Sequence, residues 1–118
     1  MKDNFVYLDY NQVMSFMFEL NELRKDNPYF NDKIVESFED YVLIRANEIA
    51  ITYPQIKLKI FPNANKYKIS KSLFEYLTRL TSIDVFDKET MKKYNRILEE
   101  ERQKAIEKLL SENEEESK

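Results

Sequence analysis

The chain has no cysteine, no histidine and no glycine, and only three prolines among its 118 residues. Each absence removes a class of chemistry. Without cysteine there is no disulfide framework, no thiolate nucleophile and no cysteine zinc site. Without histidine the usual general base near neutral pH is missing, along with the commonest nitrogen metal ligand. Without glycine a Walker phosphate loop, a dinucleotide fingerprint and an ordinary EF-hand are excluded, because each needs glycine for its backbone path. Average usage of about 7% would have supplied roughly eight glycines. Part of that gap is compositional: Asn, Lys, Ile, Tyr and Phe make up 50 of the 118 residues and alanine only four. This is the drift of an AT-rich genome and suits a phage or mobile element.

Long apolar runs are also lacking. The longest, Phe5–Leu8 and Tyr41–Ile44, are four residues each, far short of the ~20 that a membrane span requires. The residues after Met1-Lys2-Asp3-Asn4 contain no secretory apolar region of the usual ~7–15 residues, and there is no Asn-x-Ser/Thr acceptor site. The expected location is the cytoplasm or a virion, not the secretory route. The seven serines have no histidine to activate them. No carboxylate precedes the strand lysines at the Glu-x-Lys spacing of metal-dependent nucleases, and no acidic cluster falls in an apolar, pocket-like context. The sequence therefore predicts no catalytic, metal or cofactor residues and no small-molecule substrate.

What is present suffices for one folded unit. With 42% hydrophobic, 14% aromatic and 35% charged residues, the chain can build a core and stay solvated. A single compact domain is expected over residues 1–111, followed by an acidic, fraying tail over 112–118. Phe5-Val6-Tyr7-Leu8 reads as a short strand. Asp9 or Asn11 can cap a helix running to Asp26, before Asn27-Pro28. Val13, Phe16, Met17, Leu20 and Leu23 form one stripe on it, and Met14 and Phe18 widen that stripe to about 220°, well beyond the ~100° of a surface helix. This helix is either central or has a second face for a partner.

A second helix should start with Asn31 as N-cap, Phe30 stapling onto Val35, and should end near Tyr53 before Pro54. Arg45 projects into its apolar arc with Glu48 three residues on, and Leu43 and Ile44 point away from the arc. Residues 56–61 and 66–70 alternate with period two around Pro62-Asn63-Ala64-Asn65 and predict a β-hairpin. Its register puts Leu58, Ile60, Tyr67 and Ile69 on one face. Ser72-Leu73-Phe74-Glu75 has the form of a capping box for a short helix. Asp87 should cap a last, long helix over 88–110, with Met91, Tyr94, Leu98, Ala105, Ile106 and Leu109 within about 120°.

Charge is unevenly spread along this plan. Residues 55–82 hold Lys57, Lys59, Lys66, Lys68, Lys71 and Arg79 against Glu75 alone, within a chain of net charge −3. The hairpin register places Lys57, Lys59, Lys66 and Lys68 on one face with Phe61. This lysine face, with Lys71, is the candidate nucleic-acid or anion surface, suited to phosphates rather than to base readout. The candidate protein interface is Met14, Phe18, Leu43, Ile44 and Arg45.

The segment Tyr67-Lys-Ile-Ser-Lys-Ser-Leu-Phe-Glu-Tyr-Leu77 resembles the end of a wing and the following helix in winged-helix transcription regulators. The resemblance covers about twenty residues including the hairpin, and Leu73 stands where those proteins commonly have glycine. It implies DNA reading by the helix around residues 41–53, in which Arg45 is the only basic residue and Glu48 is acidic.

The fold expected from all of this is α+β and mostly helical: two antiparallel N-terminal helices, a central hairpin joined by the N-terminal strand, then a short and a long helix. The expected function is a non-enzymatic protein-interaction factor of assembly, adaptor or inhibitory type, binding another protein or itself. The alternative is a nucleic-acid-binding accessory protein using the lysine hairpin.

Overall fold

A computed structural model describes residues 4–52 and 65–116. The elements run β1 (Phe5–Leu8), α1 (Tyr10–Asp26), α2 (Lys33–Thr52), β2 (Tyr67–Ser70), α3 (Lys71–Thr81) and α4 (Lys88–Glu116). This is the expected mostly helical α+β arrangement. Residues 56–61 and most of the predicted turn lie outside the described residues. Within them, β2 pairs antiparallel with β1, matching Phe5 to Ser70, Val6 to Ile69, Tyr7 to Lys68 and Leu8 to Tyr67.

The Lys71 N–H donates to the Asn4 carbonyl at 3.0 Å and extends this ladder by one pair. In an antiparallel ladder, bonded and non-bonded pairs alternate. That parity makes Val6–Ile69 and Leu8–Tyr67 the bonded pairs and turns the Lys68 N–H to the opposite edge. The Tyr41 hydroxyl on α2 accepts it there at 2.8 Å. The side chains follow the predicted alternation: Tyr67 and Ile69 are buried and Lys68 is exposed.

α1 is the hub. Asp9 caps it reciprocally, accepting from the Gln12 N–H while the Gln12 side chain accepts from the Asp9 N–H, both at 2.9 Å. Phe16, fully buried, meets Phe38 of α2 edge-on at 6.3 Å and Phe74 of α3 edge-on at 6.0 Å. On another side, Phe18 meets Tyr94 of α4 edge-on at 6.2 Å. The Ser15 hydroxyl donates to the Asn11 carbonyl at 2.7 Å and lies 3.8 Å from the Met91 sulfur. The wide apolar stripe of α1 thus faces three helices. At its C-terminal end Arg24 forms an ion pair with Glu39 of α2.

Two caps differ from expectation. Asp32, not Asn31, starts α2, accepting from the N–H groups of Ile34 at 2.8 Å and Val35 at 3.2 Å. Ser70, not Ser72, starts α3, accepting from the Leu73 N–H at 3.2 Å. Ser70 is therefore both the last residue of β2 and the cap of α3, so strand passes into helix without a linker. α3 ends on Ser82 at φ 60°, the left-handed position that glycine usually fills. Asp87 caps α4 as expected, accepting from the Thr90 N–H at 3.0 Å. Gln12 Nε2 donates to the Val85 carbonyl at 3.0 Å and ties the preceding loop to α1. α4 runs past the predicted 110 to Glu116. Among the described residues no helix is long and apolar enough to cross a membrane.

Candidate interaction surfaces

The outward face of the two-stranded sheet carries Phe5 and Tyr7 from β1 and Lys68 from β2. Phe5 is 43% exposed and Tyr7 44%. The Lys68 ammonium lies 4.1 Å from the centroid of the Phe5 ring, a cation–π contact. Lys66 stands half-buried just before β2, and Lys71 is exposed in the first turn of α3. Lys57, Lys59 and Phe61 lie outside the described residues. Three of the predicted lysines are thus gathered along one short stretch, beside two aromatics that the sequence does not single out. The period-two alternation of β1 does put Phe5 and Tyr7 on one face. All four strand residues are apolar, however, so the pattern does not say which face looks outward; pairing with Lys68 does.

The other edge of β2 is held by α2. Arg45 Nε donates to the Lys66 carbonyl at 2.9 Å, and its guanidinium pairs with Glu48 at 3.1 Å. Together with the Tyr41 bond to the Lys68 N–H, this fastens the start of β2 to the helix. Arg45, a candidate for partner contact, is engaged within the fold. Below this edge lies a groove of about 510 Å³ bounded by Ile34, Phe38 and Tyr41 on one side and by Lys68, Ile69 and Leu73 on the other.

Several phenols are perturbed by this packing. The Tyr94 hydroxyl donates to Glu19 at 2.5 Å. Burial first, and then that bond, pushes the phenol well above its ordinary range. The Tyr76 hydroxyl donates to Asp32. This bond lowers the Asp32 carboxyl, helped by the Val35 and Ile34 N–H groups and opposed by burial, and it raises Tyr76. Burial is the leading cause of the raised Tyr67 phenol, with Tyr10 adding to it and Arg45 opposing. The Tyr94 and Tyr76 bonds each tie one element to another.

The candidates for a protein interface separate into two groups. Met14 and Phe18 are half-buried, Phe18 against Tyr94 of α4 and Met14 at a cleft between α1 and α4. Leu43 and Ile44 project from the outer side of α2 at 63% and 60% exposure. A further apolar surface appears on α4. Every residue from Glu99 to Glu112 is exposed, and these include Ile106, Leu109 and Leu110.

Among the described residues there is no group of three or more carboxylates that could hold a metal ion. Comparison of the chain with protein-family models, with curated proteins and with solved structures found no match.

Proposed function

We propose that the chain is a non-enzymatic protein-interaction factor of assembly, adaptor or inhibitory type, with the outer face of α2 as a docking surface for another protein. One observation carries this reading: Leu43 and Ile44 are adjacent, aliphatic and more than half exposed in the middle of a regular helix. The other side of the same helix already supplies Val35, Phe38 and Val42 to the core. Burying two such side chains against a partner is worth roughly 1.5–3 kcal/mol each at full coverage.

The test is a photo-crosslinking residue at position 43 in cells that naturally express the protein. The control is the same residue at Lys25, which is exposed in the last turn of α1. A discrete adduct at 43, absent at 25 and lost in Ile44→Glu, supports the reading. No adduct at 43, or equal labelling at both positions, refutes it.

A second reading, single-stranded nucleic-acid binding at the sheet face, is favoured by a separate observation. Two exposed rings beside lysines match the way unstacked bases and phosphates are held. Phe5→Ala with Lys68→Glu should then abolish a salt-sensitive affinity for oligonucleotides. Absence of any binding at low salt rules this reading out.

A further inference from the structure

The geometry points to capture of an extended peptide segment with acidic–apolar–acidic alternation, laid parallel to β2 along its outer edge in the groove against α2. The proposal goes beyond the preceding reading, because it uses the edge of β2 and the first half of α2 and stands whether or not Leu43 and Ile44 meet a partner.

The edge comes first. β1 covers one side of β2, and the pairing of Lys71 with Asn4 and of Ile69 with Val6 turns the backbone groups of Lys68 and Ser70 to the other side. Two of those four groups are used. The Lys68 N–H donates to Tyr41, and Ser70, as the cap of α3, gives its carbonyl to the first bond of that helix. The Lys68 carbonyl and the Ser70 N–H are left, and no side chain among the described residues bonds to either. A strand edge in this state is a template for another extended chain. An antiparallel neighbour would need both groups of Lys68, one of which Tyr41 holds. A parallel neighbour needs what is free: one of its residues donates to the Lys68 carbonyl and accepts from the Ser70 N–H.

The room comes second. Tyr41 spans from α2 to β2 at Lys68. One turn earlier on the same face stands Ser37, exposed and too short to cross, and before it Ile34 is 52% exposed. The groove of about 510 Å³ opens there. Strand side chains alternate between the two faces of a sheet, and paired residues share a face. The bridging residue, set opposite Ile69, therefore points the way Ile69 does, towards the buried side. What it meets there is apolar, because Ile34, Phe38, Ile69 and Leu73 line the groove.

Charge decides the flanking residues. Those before and after the bridging residue point outward, as Lys68 does. Lys33 on the α2 wall and Lys68 on the β2 wall both line the groove, and its described lining includes no carboxylate. The Lys68 ammonium rests on the Phe5 ring, which leaves its N–H donors open to an acid. Glu36 and Asp40 lie outside the arc of α2 that lines the groove. The nearby Asp32 is held by the Ile34 and Val35 N–H groups and by Tyr76. Acidic side chains on either side of an apolar one thus answer both walls. A nucleic acid brings the charge but not the main-chain donor and acceptor that the edge of β2 asks for.

The test is an NMR titration of the isotope-labelled full chain with the acetylated, amidated peptide Ser-Thr-Asp-Val-Asp-Thr-Ser, up to about 1 mM. The expected result is saturable binding that shifts the Ser70 amide resonance. Replacing the valine N–H by an ester oxygen should weaken binding roughly three- to tenfold. The same change at the aspartate before it, whose N–H faces away from β2, should not. Lys33→Glu should weaken binding about threefold, and Ser37→Tyr should abolish it by filling the groove. Both positions are exposed, so the circular dichroism spectrum should stay unchanged. Phe5→Ala and Leu43→Glu should leave binding intact. No binding over the range overturns the proposal, as does binding indifferent to the valine ester or to Ser37→Tyr. A Ser70 shift produced by an oligothymidylate instead of the peptide overturns it too. Failure of the peptide alongside a persisting crosslink through position 43 would overturn this proposal and leave the α2 reading intact.

Discussion

Replacing Phe16 with leucine probes the claim that the wide stripe of α1 is consumed inside the fold. Phe16 is fully buried, and its ring meets Phe38 and Phe74 edge-on at 6.3 and 6.0 Å. Leucine keeps the aliphatic bulk, and near-isosteric hydrophobic exchanges cost under about 1.5 kcal/mol. The two edge-to-face contacts are worth a further ~0.5–1.5 kcal/mol each and are not fully additive. The expected destabilisation is therefore about 2 kcal/mol, rising to about 4 for Phe16→Ala, where a cavity is left. A domain of this length has roughly 6–18 kcal/mol in total, so the leucine variant should remain folded.

With a urea m-value of about 1.5 kcal/mol/M, the midpoint should fall by a little over ~1 M. The control is Phe86→Leu, whose exposed ring touches Phe74 at 5.5 Å; it should move the midpoint by less than about 0.3 M. In a double-mutant cycle, Phe16→Leu with Phe38→Leu should show a coupling of about 0.5–1.5 kcal/mol. A Phe16 variant no less stable than the Phe86 control, or a coupling of zero, would refute the account of α1 as a hub.

Three other outcomes follow from the geometry. Ser82→Gly should stabilise the protein by up to about 1 kcal/mol in thermal denaturation, because a non-glycine residue at φ 60° pays a steric cost that glycine avoids; Ser82→Val should do the reverse. Tyr41→Phe should cost about 0.5–1.5 kcal/mol and speed hydrogen exchange at the Lys68 amide, which loses its acceptor. The Asp32 and Asp87 carboxyls are lowered by the hydrogen bonds they accept, so their contribution is complete above pH ~4 and is lost as pH falls below it. Asp32→Asn plus Asp87→Asn should flatten the acid limb of a stability–pH curve. At the other extreme Tyr94 and Tyr76 are raised, so the stability they add holds below pH ~10 and is lost as pH rises beyond it. Tyr94→Phe should remove part of that alkaline loss.

Local signals are more legible in this sequence than the details of non-local contact. The cap of α4 at Asp87 and the inward set of Tyr67 and Ile69 each depend on residues within a turn or a strand of one another, and the start of α1 is narrowed to Asp9 or Asn11, of which Asp9 is the cap. The caps of α2 and α3 fall one and two residues from expectation because each start offers a choice, Asn31 or Asp32 and Ser70 or Ser72. Tertiary context decides both: Tyr76 reaches Asp32 from α3, and pairing with Phe5 holds Ser70 extended as far as the helix. The N-terminal strand is expected to join the hairpin, but no period gives its register against β2. For the same reason nothing in the sequence marks Phe5 and Tyr7 as surface residues. The breadth of the α1 stripe is visible, but periodicity gives the direction of a face and not what stands opposite. Leu43 and Ile44 read as pointing away from the core and do so. Met14 and Phe18 read as widening the α1 stripe, for the core or for a partner, and both are half-buried, Phe18 against Tyr94 of α4.

The three exposed surfaces can be tested without confusing contact with stability. Leu43 and Ile44 lie on α2, Phe5 and Lys68 on the sheet, and Leu109 and Leu110 on the arm of α4. None belongs to the buried cluster formed by Phe16, Phe38 and Leu77. Exposed substitutions away from caps and core typically change stability by no more than about 0.5 kcal/mol. Core substitutions, by contrast, alter abundance in cells and can mimic a loss of function. A biological defect caused by Leu43→Glu at normal protein level would therefore report a lost partner, whereas the same defect from Phe16→Ala would not. Because the surfaces use different elements, their effects on binding should add.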